Sequence, residues 1–183
     1  LLYYGAGRLW DIHRDIKTTK SGSRLDGYRF CLDPKSDHKA FQKWFKQLSV
    51  PSKNRPANPI ALDAVKSAEL SCVPNCDDFF FDVREDDMVL RFNNGAYEFF
   101  NNLSDGYRNM VAMVADIAHR AARLNPHQGA EAARQATGVV LIDEIDLHLH
   151  PKWQRQVVND LQQAFPRIQF IATTHSPFII QSS

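Results

Sequence analysis

Few features of this chain suggest a covalent staple, a membrane anchor or a strong charge. It holds 3 cysteines in 183 residues, at positions 31, 72 and 76. That odd number without a repeated spacing argues against a disulfide scaffold. Cys72-Val-Pro-Asn-Cys76 offers two zinc ligands, with His38 as a conceivable third, but no second cysteine pair completes a site, so free thiols are expected. No apolar run approaches the roughly 20 residues a membrane helix needs. No charged-then-apolar leader opens the sequence, which sets the expectation of a cytoplasmic protein. The net charge is +1, which makes no electrostatic case for or against nucleic acid. Glycine is scarce, with 8 residues, and none forms Gly-x-x-x-x-Gly-Lys-Ser/Thr, the loop that cradles β- and γ-phosphates. No heptad is sustained, so a long coiled-coil arm is not expected. The first residue is Leu and the chain opens as a strand already in progress, so it reads as part of a longer protein. Its 44% hydrophobic content suffices for a real core.

Against these absences stands one stretch, Gly138 to Asp146, an apolar β-branched run that ends abruptly in acids. A run this short reads as a strand buried on both faces rather than a helix. Asp143 and Glu144 then fall at its carboxyl end, where open α/β sheets bind ligands. They are either a metal-plus-base pair or a cap for a following helix.

The rest of the chain supplies elements around that strand. Gly5 and Gly7 suit a tight turn after the first strand, with Arg8 next to it. Residues 11–37 are polar and aperiodic, which predicts a loop. Phe41, Trp44, Phe45 and Leu48 follow helical spacing over 38–48, and their stripe reads as a packing face rather than a base-stacking platform. Prolines break the chain between 49 and 59, and a second helix is expected to about Ser71, carrying Ile60, Leu62, Val65 and Leu70. Phe79–Val83, Met88–Phe92 and Ala96–Phe100 read as a three-stranded meander, with Asn93-Asn94-Gly95 a strong hairpin signal. Asp82, Glu85, Asp86 and Asp87 are read as solvated turn acids rather than a metal cluster.

Ser104 and Asp105 precede a long apolar-periodic run from Met110 to Leu124, so either can cap a helix. With Gly106 permitting close approach, that helix N-terminus could also hold a phosphate. Residues 125–137 form a polar, Ala-rich connection. Pro151 starts a helix with Trp153, Val157, Leu161 and Phe165 on one face, and Pro166 closes it. Ile168 to Thr173 is expected as a second buried strand, with His175 just beyond its end. A lone histidine there is ordinarily structural. The alternating His148 and His150, beside Asp143, Glu144 and Asp146, allow a rival reading as a transition-metal centre of a nuclease or hydrolase.

In order, Leu103-Ser104-Asp105-Gly106-Tyr107-Arg108, the acids after Ile142, Leu147-His148-Leu149-His150-Pro151 and Thr173-Thr174-His175-Ser176-Pro177 resemble the motifs of ABC-type ATPase heads. The branch is that of SMC, RecF and OLD-type proteins, and the likeness is closest to AAA-family ATPases of bacterial antiviral defence such as Septu and some retrons. It is good from Phe79 to Ser183, with Asp105 in place of the commoner Gly. The resemblance implies an α/β P-loop NTPase fold: a mainly parallel sheet flanked by helices, an antiparallel meander and a helical insertion. It divides the chain into a strand and turn (1–10), a variable insertion (11–78) and the ATPase core (79–183).

The same resemblance implies ATP and Mg²⁺ as cofactors, Asp143 at the cation, Glu144 as base and His175 at the γ-phosphate. Ser104, Asp105, Gly106, Tyr107 and Arg108 would meet the nucleotide of an opposite copy, Asp146, His148 and His150 would line that interface, and Arg8 is a further candidate nucleotide contact. The partners implied are a second copy in a dimer or higher oligomer, with a nuclease effector and DNA as further candidates. The missing phosphate loop would lie upstream of Leu1, and without it this chain alone should bind ATP poorly. A non-catalytic DNA-repair or scaffold module is the remaining alternative.

Overall fold

The computed structural model describes residues 1–7, 28, 31–32, 38–50 and 59–181. Arg8 and most of the connectors at 11–37 and 49–59 lie outside the described residues. Two sheets organise the rest. One is parallel, with strand order β1-β5-β6, built from β1 (Leu2–Tyr4), β5 (Gly138–Ile142) and β6 (Ile168–Ala172). Its register pairs Tyr4 with Ile142 and Ile142 with Ala172, so all three strands end at one level. The other is the expected antiparallel meander of β2 (Cys76–Asp82), β3 (Asp87–Phe92) and β4 (Tyr97–Phe99). Its β3–β4 turn places Gly95 at φ +80, and the Asn94 side chain accepts from the Ala96 amide at 3.0 Å. Both features follow from the Asn-Asn-Gly sequence.

Helices α1 (His38–Ser49), α2 (Pro59–Cys72) and α3 (Asp105–Leu124) pack on one another and on the meander. Phe41, Phe45 and Leu48 are buried, and the Phe45 and Phe79 rings lie 4.8 Å apart, so the aromatic stripe of α1 is a packing face. Helix α3 is buried around most of its circumference. Tyr4 of β1 donates to Asp116 of α3 at 2.8 Å, and Asp116 also accepts from Arg120 at 2.8 Å, tying the parallel sheet to the helical layer. Among the described residues no helix is long and apolar enough to cross a membrane.

Several expectations change. Strand β5 buries Val140 and Ile142, but Gly138 is exposed and Val139 and Leu141 are only half-buried. In β6, Ile171 is 53% exposed. The parallel sheet is thus covered on one face, whereas its continuous apolar sequence predicts two. The single helix expected from Pro151 is two, α5 (Pro151–Gln154) and α6 (Val157–Ala164), although Trp153, Val157, Leu161 and Phe165 are all buried as read. The connection after α3 is structured, as a 3₁₀ segment (Pro126–Glu131) and a short α4 (Ala132–Gln135) that buries Ala132 and Ala133. Leu70 is exposed, while Asp87, read as a solvated turn acid, is buried and accepts from the Met88 and Asn101 amides at 2.8 and 3.2 Å. The remaining short helix, α7, spans Pro177–Ile180.

The thiols are free as expected, with Cys72 and Cys76 buried. One buried group has no counterpart in the sequence reading. Glu69 of α2 is fully buried and neither carboxyl oxygen has a hydrogen-bond partner. Burial holds its pKa well above the ordinary carboxylate range. The folded protein therefore keeps a proton that the unfolded chain releases above about pH 4.3, so stability drains as pH rises through that window. Glu69→Gln is expected to be more stable than the parent at pH 7. Its advantage in urea unfolding should grow from pH 5 upward, by at most about 1.4 kcal/mol per pH unit. A pH-independent difference would contradict a protonated Glu69.

Candidate nucleotide site

The loop after β5 is laced to both neighbouring strands. Asp143 donates its amide to Tyr4 O of β1 at 2.8 Å, and beyond β6 the Thr173 amide donates to Ile142 O at 2.9 Å. The Ile145 amide returns to Thr173 O at 3.0 Å. The Thr173 hydroxyl donates to Asp143 Oδ1 at 2.6 Å and accepts from the Glu144 amide at 2.8 Å. One hydroxyl thus holds both acids. A rung further on, the Thr174 hydroxyl donates to Asp146 Oδ1 at 2.5 Å and accepts from the Ser176 amide at 3.0 Å. Ser176 then donates to Gln154 Oε1 at 2.6 Å, and Gln154 Nε2 donates to Leu149 O at 2.8 Å.

Strand β5 stops at Ile142, so the acids do not alternate across a pleat as their adjacency in the sequence suggests. Glu144 instead sits at φ +51 and His148 at φ +59. Left-handed backbone on residues other than glycine is disfavoured, by roughly 1–3 kcal/mol, and persists only where the surroundings impose it. Here the Thr173 hydroxyl and the turn bonds from Leu147 N to Glu144 O (2.9 Å) and from Leu149 N to Asp146 O (3.0 Å) do so. The site is open at the surface: His175 and Thr173 are exposed, and Asp143 and Glu144 are half-buried.

The start of α3 abuts this loop. A Cβ on Gly106 would lie 2.1 Å from the His148 carbonyl oxygen, so glycine is required there by contact with the loop itself. The Tyr107 ring packs against Trp153 of α5, with centroids 3.8 Å apart and planes tilted by 44°. Ser104 occupies the N-cap but its side chain makes no capping bond, and Asp105 in the first turn pairs with Arg108 at 2.5 Å. Ser104 and Asp105 are exposed. The described residues that the resemblance assigned to the nucleotide or the interface thus fall on the acid loop, just beyond β6 or on the helix start packed against them.

The rival metal centre does not form. His150 accepts from the Lys152 amide through Nδ1 at 3.2 Å as the cap of α5. Among the described residues no three His, Cys, Asp or Glu side chains come together in a way that could hold a metal ion. What is present suits Mg²⁺ better, since that ion takes one or two carboxylates and leaves its other positions to water and substrate phosphates. Asp143, with the Thr173 hydroxyl against it, offers only hard oxygen donors of that kind. The sequence reading quoted Thr173, Thr174 and Ser176 within the motif around His175 but gave them no role, and it missed Gln154.

Comparison with known proteins bears on the family and the fold of the chain. The chain is similar to the retron Vc95 probable ATPase of Vibrio cholerae, 49% identical over 94 residues that make up 51% of this chain and 18% of that protein. It is similar to the Septu protein PtuA of Bacillus mycoides, 44% identical over 86 residues, 47% of this chain and 11% of that protein. It therefore spans less than a fifth of either relative. Among solved structures, an SMC head bound to the C-winged helix domain of ScpA aligns with TM-score 0.50 at 15% identity, covering 99% of this chain and 49% of that one, a likeness of fold. The family described as "AAA domain, putative AbiEii toxin, Type IV TA system" matches residues 35–181, and the chain belongs to that AAA-domain family.

Proposed function

We propose that the intact protein carrying this chain binds and hydrolyses ATP between two copies of itself. The observation that carries the reading is the Thr173 hydroxyl, which joins Asp143 and the Glu144 amide at the shared end of two parallel strands. Asp143 would hold Mg²⁺, which when bound neutralises phosphate charge. Glu144 takes a proton from water as its oxygen bonds to the γ-phosphorus and the bond to the bridging oxygen breaks, leaving ADP and phosphate. His175, exposed beside the acids, stabilises the γ-phosphate. Ser104 to Arg108 meet the nucleotide of the opposite copy, with Asp146, His148 and His150 at the interface. The openness of the site supports this, because a single copy leaves the acids in water. By analogy with the retron and Septu relatives, the ATPase controls an effector in antiviral defence, a nuclease being the first candidate. The intact protein should show Mg²⁺-dependent ATP hydrolysis and ATP-dependent dimers by light scattering. A protein that stays monomeric under ATP with hydrolysis blocked would remove the opposite-copy role of Ser104 and Gly106.

Thr173 supplies a sharper test of the same geometry. In the intact protein Thr173→Val deletes the hydroxyl and keeps the shape, so Asp143 and Glu144 lose their common anchor. Turnover should fall about tenfold or more, since small displacements at a reacting centre are heavily penalised. Thr173→Ser should restore most of it. Equal turnover in the Val and Ser variants would show that the hydroxyl is incidental.

A further inference from the structure

A cavity of about 610 Å³ opens where three segments meet. They are the β3–β4 turn, the corner between α2 and β2, and the chain leading into α3. Its size falls within the range of small-ligand pockets. Its rim is braced by backbone hydrogen bonds: Asn93 N to Asn75 O at 2.9 Å, Gly95 N to Phe92 O at 2.8 Å and Phe92 N to Ala96 O at 2.9 Å. Tyr107, which also lines it, packs against the Trp153 ring.

The chemistry of the lining is selective. Asn75, Asn93 and Asn102 line it with amides, which donate and accept, while the Asn94 side-chain oxygen is already bound to the Ala96 amide. Glu98 is the one charged residue among the described residues that line it, and no Lys, Arg or His does. A cavity with a carboxylate and no cation repels phosphate. It suits a neutral group that presents hydroxyl donors and a ring edge bearing both donors and acceptors. Vicinal ribose hydroxyls bind carboxylates in this way, and a base edge matches paired amides. Ser104 lies at the rim and also heads α3, so the cavity and the helix start adjoin.

We propose that this cavity receives the nucleoside portion of a nucleotide, with Glu98 accepting from the ribose hydroxyls and the asparagine amides meeting the base, while the phosphates extend past Ser104. The assignment rests on the reading of α3 as a phosphate-binding helix start, and it adds a second half to that site. It makes this chain discriminate by sugar and base, although the acid loop addresses only phosphate.

The test uses the intact protein, Glu98→Gln, which keeps shape and removes charge, and two probes. With ATP, Glu98→Gln is expected to raise KM by about tenfold, the worth of one hydrogen bond to a charged group, while kcat moves far less. The preference of the parent for ATP over 2′,3′-dideoxy-ATP should shrink by a similar factor. With adenosine alone, amide NMR shifts are expected at Asn75 and Asn93 in the parent and not in the variant, whereas inorganic triphosphate should leave those two resonances still. Unchanged KM and sugar preference in Glu98→Gln, in a protein that does hydrolyse ATP, would overturn the cavity and leave the ATPase standing. If the parent hydrolyses no ATP, the ATPase reading fails and adenosine decides separately: Glu98-dependent shifts keep the cavity as a nucleoside site, and their absence removes it.

Discussion

Glu144→Gln in the intact protein is expected to leave ATP binding in place and to lower hydrolysis by about 10² or more. Gln keeps the length and hydrogen-bonding shape of the side chain but cannot take a proton from water. Glu144 takes left-handed backbone, and in the proposed mechanism the two acids address different groups although they are adjacent in sequence. Asp143→Asn should therefore behave differently, weakening Mg²⁺-dependent nucleotide binding because it removes charge from the cation's position. Measuring affinity and turnover for both variants separates the roles. Near-normal turnover in Glu144→Gln, or equal loss of binding in the two, would refute the division of labour.

Gly106→Ala is expected to be the most damaging single-methyl change in the described residues. The added Cβ would meet the His148 carbonyl oxygen at 2.1 Å and its carbon at 2.9 Å. These are backbone atoms, in a loop pinned by left-handed residues at both 144 and 148, so no side chain can swing aside. Overpacking of this kind costs about 1–3 kcal/mol. The displaced loop also carries Glu144, so turnover should drop by about 10² even in the fraction that remains folded. Urea unfolding together with single-turnover hydrolysis would check both effects. Parental stability and turnover would mean that α3 and the loop slide past each other freely.

The local pattern of the sequence determined much of this molecule. The meander, the aromatic face of α1, the strands at 138–142 and 168–172 and the position of α3 all follow from apolar periodicity and turn chemistry, because those signals act between residues a few positions apart. The order of motifs along the chain likewise pointed to a family whose membership the match over 35–181 bears out, and through that resemblance to the acids, His175 and the helix start as candidates for one site.

Other features needed the tertiary structure, because they depend on groups distant in sequence. Thr173 reaches Asp143 across 30 positions, and its place in the motif around His175 does not say which group its hydroxyl meets. The left-handed backbone of Glu144 and His148 is held by bonds from Thr173, just beyond β6, and by turns within the loop. Gly106 reads as room for a ligand until the His148 carbonyl is seen against it. The unburied face of β5 and β6 is a matter of what packs there, which an apolar run cannot report. Glu69 has an ordinary helical sequence around it, and its burial comes with the packing of α2 against other elements, α3 and α6 among them.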